Sequence, residues 1–307
     1  MDLALLRALQ GVRNPVLDVL FQGITMLGEE TLLIAALCLI YWCINKRAAI
    51  QMMMNFFVVG LVTQALKITF CVPRPWVRDP SLVPVASAKE GASGFSFPSG
   101  HTASAVAMYG SAALLLKKRW ATCACVATAL LVGFSRLYLG VHTPQDVLVS
   151  MVLSTLLLIG VRSLFSWMER DAKTENIVFA AGLLISVALA VYAQYKPYPA
   201  MEGVEHLALD TFKISGAAIG LFLGWQFERK FVKFDERASF SMQVLKYVIG
   251  MALVGGIMAL KGPVALFGAK PWALIKYSLL AFTALGLWPM LFSRLSRKSC
   301  ENVLNGV

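Results

Sequence analysis

Only three histidines occur in the 307 residues, and two of them, His101 and His142, stand in polar clusters at the ends of long apolar runs. Lys67, Arg74, Ser99, Arg136 and Asp146 share those clusters. Ionisable groups at the edge of a bilayer are costly to keep, so cations, imidazoles and a carboxylate gathered there point to a site and not to packing. The residue types suit a phosphate, with fixed cations for its oxygens and imidazoles to move protons.

Three segments carry the set. Lys67 is followed by Arg74-Pro75 at the end of one run; alone, these read as a snorkelling lysine and loop punctuation. Phe97-Pro98-Ser99-Gly100-His101-Thr102 opens another run. Pro and Ser are ordinary helix-start residues, but the free N–H groups of Gly100 and His101, beside the Ser99 hydroxyl, also make an anion site. The third segment is Ser135-Arg136, then His142, then Thr143-Pro144-Gln145-Asp146. It fits a helix start with Thr143 as cap, Pro144 first and Asp146 third. Asp146 can serve as that cap and can also reach back to the His142 imidazole, fixing its tautomer and stabilising positive charge on it.

The elements that must position these residues are membrane helices. Apolar residues make up 58% of the chain and charged residues only 15%, outside the balance of a soluble domain. Runs of about 20 apolar residues are needed to cross a bilayer. They are expected near 50–70, 99–116, 120–140, 145–166, 176–194, 211–227, 242–260 and 272–292, with a shorter one near 31–44, about nine in all. Pro15 to Leu27, interrupted by Asp18 and Gln22 and stopped at Gly28-Glu29-Glu30, reads better as an interfacial helix. No cleavable signal peptide is apparent.

The net charge of +11 is spread by loop and does not form a nucleic-acid surface. Lys46-Arg47, Lys117-Lys118-Arg119, Arg162 with Arg170 and Lys173, Arg229-Lys230 with Lys233 and Arg237, and Arg294 with Arg297-Lys298 follow alternate spans. Those loops are expected on the cytoplasmic side of a bacterial-type plasma membrane. The site loops then face outward. In the first of them Arg78 and Lys89 are taken as solvated charges, and Trp76, Phe95 and Phe97 as interfacial or headgroup-lining aromatics.

The six cysteines are scattered, four of them in apolar runs, and read as small core residues; the single-residue spacing of Cys123 and Cys125 supports neither zinc nor a disulfide. No metal or other cofactor is expected. His206, near Glu202, Glu205 and Asp210, needs no function. Gly216, Gly220 and Gly224 mark a close helix-packing face, within the chain or between protomers of a homo-oligomer.

Together, Lys67-x6-Arg74-Pro75, Pro98-Ser99-Gly100-His101 and Ser135-Arg136-x5-His142-x3-Asp146 resemble the complete three-part signature of the type 2 phosphatidic acid phosphatase (PAP2) superfamily. The resemblance implies an all-α polytopic membrane bundle with a PAP2-type core of about six helices within residues 1–170; the four spans expected after 176 lie outside it and make a C-terminal extension over 171–307. It implies His142 as nucleophile, forming a phosphohistidine, Asp146 as its orienting partner and His101 as general acid. Lys67, Arg74, Ser99, Gly100 and Arg136 would surround the phosphate oxygens. Metal-independent hydrolysis of an amphiphilic phosphate, a lipid phosphate or diphosphate, follows as the expected activity. A flippase or transporter that binds the same phosphate without cleaving it, and a phosphatase for a soluble sugar phosphate, are the alternatives.

Overall fold

The computed structural model describes residues 3–92, 94–199, 204–262, 264 and 268–294 and is helical, with no strand among them. A short amphipathic helix α1 (Ala4–Gly11) leads to α2 (Pro15–Met26), started by Pro15 and by the Asn14 side chain, which accepts from the Leu17 N–H. Next comes α3 (Glu30–Leu39), extended by a π-helical turn over Ile40–Ile44. Asn45 ends that turn and caps α4 (Lys46–Phe70) by accepting from the Ala48 N–H at 2.9 Å.

Two short helices, α5 (Pro75–Arg78) and α6 (Ala86–Glu90), lie in the loop before α7 (Gly100–Leu116). α8 (Arg119–Tyr138) returns to the same end of the molecule, where α9 (Pro144–Met168) starts with the expected capping box between Thr143 and Asp146. The extension consists of α10 (Ala172–Tyr195), α11 (Val204–Phe227) with a π-helical turn over Glu228–Val232, α12 (Phe240–Ala259) and α13 (Ala269–Phe282). A π-helical turn over Thr283–Leu287 carries α13 on towards Arg294.

Each expected run is therefore a helix, but fewer of them qualify as membrane spans. Among the described residues six helices are long and apolar enough to cross a bilayer, or seven if α2 and α3, bent by 44° at their junction, form one broken span. α7 has 17 residues, and α11 carries Asp210, Lys213 and Gln226 within its apolar run. Both run through the interior: α7 packs on α4, α8 and α9, and α11 packs on α4, α10 and α13. The segment read as an interfacial helix is α2, separated from α3 by a short break at residues 27–29 and a bend of 44°.

One apolar core joins the two parts of the chain, running from Leu33, Met54 and Phe56 to Phe222, Leu285 and Trp288. The glycines of α11 face inward. A methyl group on Gly216 or Gly220 would strike the backbone carbonyls of Leu274 and Ser278 in α13, so the close-packing face lies within the chain.

Candidate active site

Four helix ends meet at one pole: the C-termini of α4 and α8 and the N-termini of α7 and α9. The two N-termini present N–H groups and positive dipole ends, which favour an anion. They surround a cavity of about 310 Å³. Lys67, Arg74, Gly100, His101, Arg136 and His142 all line it, so the three sequence segments, 79 positions apart at their extremes, converge on one space. Ser99 and Asp146 are buried behind this lining. The Ser99 hydroxyl accepts from Thr102 at 2.9 Å, and its own proton remains to be donated.

His142 sits in the loop between α8 and α9, 1% exposed. Arg74 Nη1 is 3.0 Å from His142 Nε2 and also donates to the Val141 carbonyl at 2.9 Å. Arginine is only a donor, so Nε2 must be the lone-pair nitrogen and the ring proton belongs on Nδ1. Nδ1 stands 3.5 Å from Asp146 Oδ2, too far for a formed hydrogen bond, and has no other partner. The same carboxylate oxygen accepts from the Thr143 N–H at 2.7 Å and from the Ser96 hydroxyl at 2.5 Å, which fixes it beside the ring. Burial first, then Arg74, Arg136 and Lys67, hold the proton affinity of His142 well below the ordinary imidazole value. The arrangement presents a neutral ring with its nucleophilic nitrogen towards the cations.

The other cations are held by single contacts that leave their charge facing the cavity. Lys67 Nζ donates to the Phe95 carbonyl at 3.3 Å. Arg136 Nη1 donates to Thr25 Oγ1 at 2.7 Å, while its buried Nε has no partner. His101, at the start of α7, has Nε2 3.3 Å from Glu29 Oε2. Among the described residues no three His, Cys, Asp or Glu side chains group to hold a metal ion.

Thr25, Glu29 and Ser96 carry no spacing signal and were not expected in the site. All three reach it through the tertiary structure, from the α2–α3 bend and the loop before α7. Arg78 and Lys89 are absent from the cavity wall, whereas Asp210, Lys213 and Tyr277 of the extension are part of it. Phe97 packs edge-on against Phe70, with ring centroids 5.5 Å apart. The side chain of His206, with Glu202 and Glu205, lies outside the described residues; Asp210 pairs with Lys213 at 2.8 Å.

This is a helical membrane protein with a cavity lined by two histidines and three buried cations. Residues 48–170 match the PAP2 superfamily model, and residues 212–299 match the PAP2 superfamily phosphatase transmembrane extension. A probable sphingosine-1-phosphate phosphatase of Dictyostelium discoideum is 28% identical over 233 residues, covering 69% of this chain and 54% of that protein. The chain thus spans about half the length of that relative. Undecaprenyl-diphosphatase BcrC of Bacillus subtilis is 30% identical over 51% of this chain and 80% of its own length. A crystal structure of a transmembrane PAP2-type phosphatidylglycerolphosphate phosphatase from Bacillus subtilis aligns with a TM-score of 0.47 at 28% identity, covering 54% of this chain and 85% of that one. The chain belongs to the PAP2 superfamily.

Proposed function

We propose that the protein is a membrane phosphatase that hydrolyses a lipid phosphate or diphosphate through a phosphohistidine, without a metal ion, at the extracytoplasmic face. The observation that carries this reading is the shared cavity, in which His101, His142 and three cations face the same space. Relatives named for lipid substrates support it: the sphingosine-1-phosphate phosphatase and undecaprenyl-diphosphatase above, and a phosphatidylglycerophosphatase of Bacillus subtilis at 30% identity.

In the proposed mechanism the phosphate enters among Lys67, Arg74 and Arg136, with the Gly100 N–H and the Ser99 hydroxyl as further donors. Arg74 transfers its hydrogen bond from His142 Nε2 to a phosphate oxygen, freeing the lone pair. Nε2 attacks phosphorus as the ester bond breaks, and the leaving oxygen takes a proton from His101. Charge that develops on the ring is offset by Asp146. A water molecule then attacks the phosphohistidine, giving its proton to His101, and inorganic phosphate leaves. Fixed cations stabilise the spread charge of such a transition state, a task that a magnesium ion performs in other phosphoryl-transfer enzymes.

Two further features support an amphiphilic substrate and an outward site. Ile34, Phe56, Phe57, Ile214 and Ala217 continue the cavity wall away from the cations, giving a hydrocarbon chain an apolar path. The basic loop residues Lys46, Arg47, Arg170, Arg229 and Lys233 share a recess at the opposite pole, the end assigned to the cytoplasm by its charge. The deciding experiment measures phosphate release by purified protein in detergent with excess EDTA, across diacylglycerol, polyprenyl, sphingoid and sugar phosphates. Turnover that survives EDTA and disappears in His142→Ala is the expected result. No release from any substrate, with vanadate still bound, would replace hydrolysis by recognition or transport.

A further inference from the structure

The bend between α2 and α3 is clamped onto the two helices that carry His101 and Arg136. Thr25 holds the Arg136 guanidinium at 2.7 Å, and Tyr109 of α7 donates to the Leu27 carbonyl at 2.9 Å. Gly28 lies so close to α7 that a Cβ there would stand 2.8 Å from the His101 carbonyl oxygen and 2.7 Å from Val132 Cγ1. Only glycine permits that approach. The next residue, Glu29, places Oε2 3.3 Å from His101 Nε2. A carboxylate is therefore delivered to the second histidine by a backbone fixed at three neighbouring positions.

We propose that Glu29 is the positioning residue for His101, holding Nε2–H so that Nδ1 delivers the proton to the leaving group. The proposal rests on the phosphatase reading. In the cationic ring both nitrogens carry protons; Glu29 retains the one on Nε2, and the one on Nδ1 passes to the leaving oxygen as its bond to phosphorus breaks. His101 is then neutral, with its lone pair on Nδ1, ready to accept a proton from the water that opens the phosphohistidine. That second transfer restores the starting state. The two histidines become carboxylate dyads of opposite sense, Asp146 facing Nδ1 of His142 and Glu29 facing Nε2 of His101. Lys67, Arg74, Arg136 and His142 face His101 from the phosphate side, and Glu30, Asp210, Lys213 and Tyr277 from the far wall. Burial first, then Arg136 and Lys67, disfavour a charged His101, and Glu29 is the carboxylate in contact that partly offsets them.

The test compares Glu29→Gln and Glu29→Asp with the unaltered protein on two substrates. One is an alkyl phosphate, whose alkoxide needs a proton to leave; the other is p-nitrophenyl phosphate, whose leaving group does not. Glu29→Gln should lower kcat/KM on the alkyl ester by about 10- to 100-fold while nearly sparing kcat/KM on the nitrophenyl ester, since kcat/KM reports the first transfer and not the phosphohistidine hydrolysis common to both. The alkaline limb of its pH profile should move to lower pH. Glu29→Asp, which keeps the charge, should recover part of the loss. Equal loss of kcat/KM on both esters, or an unmoved alkaline limb, would make Glu29 a packing residue and overturn the assignment. Absence of turnover by the unaltered protein on both esters would instead remove the phosphatase reading, and this inference with it.

Discussion

The two poles of the molecule bury charge in opposite ways. They are separated by roughly 30 Å along α4, the 21 residues from Lys46 to Lys67 at about 1.5 Å each. At the pole of the basic loops the buried carboxylates are each matched by a cation, and Lys246 rests on a carbonyl. Glu228 accepts from Lys46 at 2.9 Å and from the Phe234 N–H at 3.0 Å; Glu175 pairs with Arg229 at 2.5 Å; Lys246 Nζ donates to the Glu236 carbonyl at 3.0 Å. At the other pole Lys67, Arg74 and Arg136 are 9%, 6% and 3% exposed and bond mainly to carbonyls and a hydroxyl. Asp146, the carboxylate buried with them, is occupied by Ser96, Thr143 and His142. Since leaving a buried cation unneutralised is destabilising, the proposed phosphate site accounts for Lys67 and Arg136 as charge kept for binding rather than for stability.

Removing a cation at the site pole should break function and spare the fold. Arg136→Ala deletes one donor to the phosphate and should reduce kcat/KM by about 100- to 1,000-fold, the usual effect of losing a transition-state donor. Thermal stability in detergent should hold or rise, because a buried like charge is relieved. A variant that unfolds while its remaining folded fraction turns over normally would erase the contrast between the poles. Phosphate release and a melting curve on the same preparation decide this.

The opposite pole should respond in reverse. Glu228→Gln leaves Lys46 without its carboxylate and should cost about 1–3 kcal/mol, below the loss for a fully buried pair because Lys46 keeps 28% exposure. Turnover per folded molecule should remain within about twofold of the unaltered protein, since nothing at this pole approaches the reacting atoms. A large fall in kcat with an unchanged melting point would mean that the charged recess at this pole is functional too.

The contrast also explains which features could be read from the chain alone. That His101, His142 and the cations share one cavity was foreshadowed by their residue types at the ends of apolar runs, and the local capping rules place Thr143, Pro144 and Asp146 without reference to the rest of the fold. Helix positions were legible from apolar run length, yet run length did not show that α7 and α11 lie inside the bundle. Glu29 was hidden in the Gly28-Glu29-Glu30 stop signal and Thr25 in the apolar run before it: their partners are 72 and 111 positions away, and only the bend between α2 and α3 brings them there. Ser96 is likewise one of many loop serines until the backbone brings it to Asp146. The role of the extension was the least legible, because a cavity wall made by α11 and α13 leaves no local pattern.

That wall supports the subtlest expected effect, and it lies where the two parts of the chain meet. Lys213 and Asp210 form a pair with about a third of each side chain exposed, 36% and 37%, so its loss should hardly move stability. Both nevertheless line the cavity that contains the catalytic set. Lys213→Gln leaves Asp210 as an uncompensated carboxylate facing the incoming anion. KM should rise about two- to fivefold, the scale of one partly solvated charge, and more for a lipid diphosphate than for a monophosphate. Because Lys213 lies on the far wall and the proposed proton and phosphoryl transfers run through His101 and His142, kcat should stay constant. An unchanged KM across both substrate classes would confine the extension to packing; a change in kcat alone would bring α11 into the chemistry and redraw the boundary between core and extension.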